Sequence, residues 1–394
     1  MLSAVVVFLV VARQLGPAGY GVFAGLQALA SILATVASSA AVMFLLQETV
    51  REQRPMNEVL PIALGLSAGA AVGVVASAIV LGSLLVDTAP VLTILGMAVA
   101  EAVGAGAIAI GAGALQASGS YSAAARIWSC YLVVRTGAIV ALWATGTVTL
   151  GSVVGTVFAA ALVCGAGSLV YASRRLHQPL HWARPTRTDI RRTLSYSATV
   201  GAFAITEDGD KTLMVKSAPS LDAGLYAAAY RVLAPTLAPV RALQTASHTR
   251  FLATDPDQPG LHLNRALRYT AAAGAYGLAA SAGLVILATF VMDVLGQGFE
   301  QAGTVLRWLA PIVLLRSLGV FPSNALLGLR KNLLRTAIVC TTAVANVVAN
   351  LVLIPRFSWK GAAGASIGSE ALFLVLTWTA VVVHQRRFDQ RIAV

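Results

Sequence analysis

Residues 173–193, SRRLHQPLHWARPTRTDIRRT, form the longest polar stretch of this chain, and their position decides how the rest is read. The stretch holds six arginines (Arg174, Arg175, Arg184, Arg187, Arg191, Arg192), with Pro179, Pro185 and Trp182 between them. On either side the sequence is almost continuously apolar. Over all 394 residues, hydrophobic side chains make up 57% and charged ones 11%, against about 25% charged in soluble domains. Mean hydropathy is +0.78. So few charges cannot clothe a water-facing surface, so most of the chain faces lipid or other helices in lipid. A secreted enzyme, a nucleic-acid-binding domain and a single-anchor receptor are excluded.

A helix crossing a bilayer needs about 20 apolar residues. Apolar runs broken by turn chemistry predict twelve spans: 2–15, 20–46, 59–85, 91–116, 124–146, 151–173, 194–216, 221–247, 269–295, 303–327, 333–355 and 361–384. Typical breaks are Gly16-Pro17-Ala18-Gly19, Asp87-Thr88-Ala89-Pro90 and Ser217-Ala218-Pro219-Ser220. The expected fold is an all-α polytopic membrane protein. Its parts are an N-terminal lobe at 1–173, a basic cytoplasmic linker at 174–193, and a C-terminal lobe with a short cytoplasmic tail at 194–394. Gly21-Val22-Phe23-Ala24, opening the second span, is echoed by Gly224-Leu225-Tyr226-Ala227, opening the eighth, so the lobes read as a parallel repeat. The amino terminus has neither a basic region nor a clear cleavage site, so no cleaved signal peptide is expected. The short first span is expected to be tilted or re-entrant, or to begin upstream.

The formal net charge of +12 follows the positive-inside rule. With the amino terminus inside, inner loops and tail hold 18 basic residues, among them Arg51, Arg54, Arg126, Arg250, Arg265, Arg330, Arg387 and Arg391. The outer ends hold only Arg13, Lys216, Arg356 and Lys360. Both termini are therefore expected in the cytoplasm. The basic linker reads as a connection between lobes; binding to anionic lipid or nucleic acid is the lesser reading. Cys130, Cys164 and Cys340 lie in separate apolar segments and the five histidines are scattered, so no metal site is proposed.

Charges at membrane depth are costly, about 2.5–3.5 kcal/mol each at the bilayer centre on insertion scales. Glu101, Arg135, Glu207, Asp208, Asp210, Lys211, Arg231, Arg241, Arg307, Arg316 and Glu370 sit there, six basic and five acidic. Pairing explains some of them: Glu207 with Lys211 at i, i+4 and Asp208 with Lys211 at i, i+3 share a helix face. A water-filled chamber between lobes accounts better for the whole set. Arg231 and Arg241 share a span with Pro235 and Pro239, and Arg316 lies between Pro311 and Pro322, so these arginines ride on bendable helices. Guanidinium groups there suit a phosphate-bearing substrate, which they grip bidentately. Arg135, Arg231, Arg241 and Arg316 are the candidate substrate ligands, and Glu101, Asp208, Asp210, Lys211 and Glu370 the candidate coupling or gating groups. Gly65, Gly69 and Gly73 give overlapping GxxxG matches on span three, and span four holds Gly104, Gly106, Gly111 and Gly113. Both sets suggest close helix packing.

Ala12-Arg13-Gln14-Leu15-Gly16-Pro17-Ala18-Gly19-Tyr20-Gly21-Val22-Phe23 resembles the segment joining the first two helices of polysaccharide and O-antigen flippases. Those proteins share a superfamily with multidrug (MATE) exporters and lipid II flippases. Gly209-Asp210-Lys211-Thr212-Leu213 with Ala223-Gly224-Leu225-Tyr226-Ala227-Ala228-Ala229-Tyr230-Arg231 is similar to the family's seventh-span acidic–basic pair and the motif after it. Asn346 to Glu370, with Asn350-Leu351-Val352-Leu353-Ile354-Pro355 and Trp359-Lys360-Gly361-Ala362-Ala363-Gly364, resembles its last hairpin. The resemblance implies a MATE-like fold in the bacterial inner membrane. It also implies translocation of a polyprenyl-diphosphate-linked oligosaccharide to the outer face by alternating access. Membrane lipids and a polysaccharide polymerase or ligase are the implied partners. A proton or sodium ion is the candidate coupling ion, no other cofactor is implied, and nucleic acid is not. A MATE-type cation-coupled exporter is the alternative, and a polytopic polymerase or ligase a weaker one.

Overall fold

The computed structural model describes residues 2–86, 88–177, 183–252, 254–255, 258–296 and 298–392. Asp87 of the third turn, and Pro179 and Trp182 of the linker, lie outside the described residues, as does the side chain of Arg391. Among the described residues there is helix and no strand.

Fourteen α-helices follow in order. They are α1 (Leu2–Leu46), α2 (Met56–Leu85), α3 (Val91–Val99), α4 (Gly106–Ala117), α5 (Tyr121–Ala144), α6 (Leu150–Leu176) and α7 (Arg187–Ser217). Then come α8 (Ser220–Leu233), α9 (Ala238–Leu252), α10 (Pro259–Leu295), α11 (Ala302–Leu309), α12 (Pro311–Gly328), α13 (Asn332–Phe357) and α14 (Trp359–Ile392). They cover all twelve predicted spans. Span four is α3 and α4 joined through a π-helical turn, Ala100–Ala105, and span eight is α8 and α9 joined through a 3-10 turn, Ala234–Leu237. Pro235 has no N–H to continue the ladder, which is why the second join falls there. A second π-helical turn, Gln47–Arg51, ends α1.

Nine of these helical stretches are long and apolar enough to cross a membrane, among the described residues. The longest, Val5–Val50, is two spans in one: Gly16 has φ 65 and ψ 175, outside helical geometry, and Pro17 follows it. Glycine reaches that positive φ without steric cost, and the proline ring forbids a helical hydrogen bond after it, so the chain turns where the sequence predicts. The predicted seventh and eighth spans are not among the nine. They are the ones crowded with charge, Glu207 to Lys211 in α7 and Arg231 and Arg241 in α8 and α9. The protein is a multi-pass membrane protein.

The chain packs as two compact units, Met1–Lys216 and Ser217–Val394. The sequence division set the linker at 174–193; contact places α7 with the first unit. Its second half lies along α1: Thr212 Oγ1 donates to the Gly25 carbonyl at 3.3 Å, and a Cβ on Gly25 would strike Val215. Farther back, Ser197 Oγ donates to the Val36 carbonyl at 3.3 Å. In the same unit α1 packs on α2 and α4, and α6 packs on α4 and α5. In the second unit α10 packs on α12, α12 on α14, α13 on α14, and α8 on α11.

Close helix approach uses glycines of span four. A Cβ on Gly104 would stand 2.6 Å from Ala161 Cβ, and one on Gly111 would stand 3.0 Å from the Ser168 carbonyl oxygen. The GxxxG run of α2 behaves differently. Gly69 and Gly73 face open space, and Gly65 receives the backbone of Ala183 instead of a helix. Spacing alone marks a smooth face; what lies against it depends on the fold.

Candidate functional site

The charged candidates fall into groups, each within one unit. On α7, Lys211 Nζ donates to Asp208 Oδ1 at 2.7 Å and to the Glu207 carbonyl at 2.5 Å, and lies 3.7 Å from Asp210 Oδ1. Asp210 Oδ1 accepts the Lys211 backbone N–H at 2.7 Å. Asp210 is fully buried, whereas the Asp208 side chain is 38% exposed. One ammonium thus serves two carboxylates of unequal solvation.

Glu101 and Arg135 form a second group in the same unit. Glu101 lies on the π-helical turn of span four, and such turns, which widen the helix by one residue, recur at functional sites. Both side chains are half-buried, and both act electrostatically on the Tyr131 hydroxyl, which lies within hydrogen-bonding reach of Arg135. Arg135 Nε is buried with no hydrogen-bond partner among the described residues.

In the second unit, Arg316 of α12 and Glu370 of α14 form a buried pair. Nε donates to Glu370 Oε1 at 2.8 Å, and Nη2 donates to the same oxygen. Their side chains are 12% and 7% exposed. Arg231 and Arg241 have exposed side chains on α8 and α9. The structure therefore brings together Arg316 with Glu370, and Asp208 and Asp210 with Lys211, while Glu101 and Arg135 meet only through their common influence on Tyr131. A phosphate approaching Arg316 would compete with a carboxylate that already holds two of its donors.

Two polar groups lie outside the candidate site residues. The first joins the ends of α1, α2 and α7. Glu48 is 3% exposed and sits on the π-helical turn that ends α1. Its Oε2 accepts Arg54 Nη1 at 2.9 Å and its Oε1 accepts Arg192 Nη1 at 2.5 Å. Arg54 also lies 3.8 Å from Asp189, whose Oδ2 accepts the Thr186 N–H at 2.9 Å and the Thr186 hydroxyl at 2.7 Å, a capping box that starts α7. The Ala183 N–H donates to the Pro61 carbonyl at 3.0 Å. The described end of the basic linker is therefore docked on its own unit. A buried acid closing an apolar span, three residues before Arg51 and six before Arg54, was the signal available.

The second group is a buried ladder behind the motif residues. Asn350 Nδ2 donates to Asn346 Oδ1 at 3.0 Å, Asn346 Nδ2 donates to Ser369 Oγ at 3.0 Å, and the Tyr226 hydroxyl lies 3.3 Å from Ser366 Oγ. Tyr226, Asn346 and Asn350 thus join α8, α13 and α14 through buried polar contacts. Unsatisfied amides are costly in a dry core, so these bonds favour this register, with Asn350 Oδ1 left without a partner among the described residues.

A cavity of about 730 Å³ lies between α2, the π-helical turn of span four, α4 and α6; it is lined by apolar side chains and Ser67, and by none of the charged candidates. Among the described residues no group of three or more His, Cys, Asp or Glu could hold a metal ion.

The model of a family described as polysaccharide biosynthesis protein matches residues 10–254. No curated protein matches the chain in sequence. Solved structures do match in fold. An inward-facing multidrug resistance MATE family transporter of the MOP superfamily shares 15% identity at a TM-score of 0.73, over 98% of this chain and 94% of that one. The lipid II flippase MurJ in an inward closed conformation shares 11% at 0.72, over 96% and 86%. A MOP superfamily transporter from Pyrococcus furiosus, described as having a binding pocket of reversed polarity, shares 16% at 0.66, over 98% and 92%. At such identities the likeness is one of fold: the chain has the two-lobed MATE-type architecture.

Proposed function

The chain belongs to the polysaccharide biosynthesis protein family, and from that premise we propose that it is a flippase for a polyprenyl-diphosphate-linked oligosaccharide. The observation that carries the reading is the coincidence of that family with a transporter's fold over nearly the whole chain. The charge geometry supports it. Arg231 and Arg241 are exposed on helices interrupted by Pro235 and Pro239, where guanidinium forks can grip a diphosphate. Arg316 becomes a further ligand when its hold on Glu370 is exchanged for one on phosphate, and Arg135 offers a buried Nε donor. Export would run by alternating access of the two units, with the lipid tail left in the bilayer and the arginine-rich ends in the cytoplasm of an inner membrane.

The acidic side of α7 favours one competing reading, a MATE-type cation-coupled drug exporter. Asp210 is a fully buried carboxylate, the kind of group a proton or sodium site is built on, and Lys211, 3.7 Å away, would have to give up its hold when the cation binds. One experiment separates them: surface glycan in a flippase-deficient host, normalised to membrane-inserted protein, alongside efflux of cationic dyes in the same cells. Restored glycan without efflux supports the flippase. Efflux without glycan removes it.

A further inference from the structure

The first unit carries a second cavity that none of the charged transport candidates lines. It holds about 440 Å³ between α5 and α6 and is lined by Arg126, Cys130, Val134, Cys164, Gly167 and Tyr171, among others. Its two ends differ in chemistry. Arg126 and Tyr171 stand at one end, and Arg174 and Arg175 follow Tyr171 by three and four residues on α6, on the same helix face and exposed. Away from that end the walls are apolar, through Cys130 and Cys164 to Val134 and Val163. Val163 is 69% and Val133, next to Val134, 68% exposed on a chain that spans a membrane, so this flank of the unit is bathed in hydrocarbon.

The arginine-bearing end of α5 also carries exposed amphipathic rings. Tyr121, which opens α5, is 71% exposed, and Trp128 is 39% exposed. Amphipathic rings concentrate at the membrane–water interface, and basic pockets between spanning helices hold anionic headgroups. Gly167 leaves room in the wall, because a Cβ placed on it would meet nothing within 4 Å.

We propose that this cavity is a binding site for an anionic phospholipid of the leaflet adjoining the arginine-rich ends. Its phosphate is held by Arg126, the Tyr171 hydroxyl and the α6 arginines, and one acyl chain runs along Val134 and Val163. A neutral, zwitterionic lipid would gain the apolar contacts but not the net charge attraction. The site stands apart from the flippase reading, since it needs no glycan and no motion between units.

The test uses the full-length protein in nanodiscs of phosphatidylcholine, with and without phosphatidylglycerol. Native mass spectrometry counts retained lipid, and N-ethylmaleimide reads the rate of labelling at Cys130, with Cys340 as internal reference. Wild type should retain phosphatidylglycerol over phosphatidylcholine, and phosphatidylglycerol should slow labelling at Cys130 but not at Cys340. Arg126→Gln should weaken retention about fivefold, the effect of one basic residue at an anionic surface. Gly167→Leu, whose Cβ meets nothing within 4 Å and whose side chain takes up space at the cavity wall, should abolish both retention and protection. Equal retention of the two lipids by wild type would overturn the proposal. So would phosphatidylglycerol held by Gly167→Leu as well as by wild type, because binding would then lie elsewhere.

Discussion

Lys211 in the first unit and Arg316 in the second are both largely buried cations, yet they are held in opposite ways. Lys211 is served by its own helix, through Asp208 three residues earlier, the Glu207 carbonyl four earlier and its neighbour Asp210. Arg316 is served by a different helix, through Glu370, 54 residues on. A local pair forms whenever the helix forms, and part of it stays in contact with solvent. A pair between helices forms only when α12 and α14 are packed, and here both partners are almost dry. The contacts within α7 do not depend on how that helix packs. The pair between α12 and α14 makes the packed fold depend on both charges being present.

The strongest way to break this comparison is Glu370→Ala. Removing one member of a buried pair leaves the other uncompensated, at a cost of about 3–5 kcal/mol. We expect most of the variant to be lost from the folded fraction, read as monodisperse protein in detergent and as a fall in Tm. The double variant Arg316→Met with Glu370→Met should recover the fold, because apolar side chains of similar volume often replace such pairs without loss. Wild-type Tm for Glu370→Ala would show that the pair does not hold α12 to α14. Arg316→Ala alone is a poor test of transport for the same reason: it also strands Glu370.

Glu48→Ala comes next. It removes a buried carboxylate with two arginine partners, but Arg54 keeps Glu58 and Asp189 nearby and Arg192 is 48% exposed. Hydrogen bonds to charged groups contribute about 1.5–3 kcal/mol, so an intermediate loss of stability is expected. Its distinguishing readout is trypsin: cleavage after Arg187 should accelerate once the segment is no longer pinned to α1 and α2. Unchanged cleavage would mean that the Ala183–Pro61 hydrogen bond and the capping box hold it unaided.

On α7 the two carboxylates should part company. Asp208→Asn removes a half-exposed ion pair, within about 1 kcal/mol. Asp210→Asn keeps an oxygen to accept the Lys211 N–H and so should leave abundance unchanged. If Asp210 binds the coupling ion, its Asn variant should abolish transport while Asp208→Asn transports. Loss of abundance in Asp210→Asn would make the residue structural.

The helices were legible in the sequence because what makes them is local: apolar runs, and breaks such as Gly16-Pro17 and Pro235 where the backbone cannot continue. The Asp208–Lys211 contact was legible for the same reason, since helix periodicity fixes it. Arg316 with Glu370 was not, because nothing in either neighbourhood names the partner. Nor was Glu48, whose partner Arg192 lies 144 residues away and meets it only through the packing of α7 against the end of α1. Gly65 shows the limit most sharply. Its spacing with Gly69 and Gly73 promised a helix partner, and its contact is the carbonyl of an irregular segment.

The smallest effect on stability, and the sharpest on function, should come from Arg231 and Arg241. Their side chains are exposed on α8 and α9, and exposed substitutions usually stay within about 0.5 kcal/mol. If they grip a diphosphate, each loses a charge-assisted contact of about 1.5–3 kcal/mol, or about 10- to 150-fold in affinity. Lysine should be intermediate, since it keeps the charge but not the paired donors of the guanidinium fork. The measurement is surface glycan per inserted protein in a flippase-deficient host, with Tm as the companion readout and Arg387→Ala as the near-silent control. Unchanged Tm with glycan falling in the order wild type, lysine, alanine would assign these arginines to the substrate. Wild-type glycan for both alanine variants would remove them from the path and leave Arg135, or Arg316 with its carboxylate displaced, to hold the phosphate.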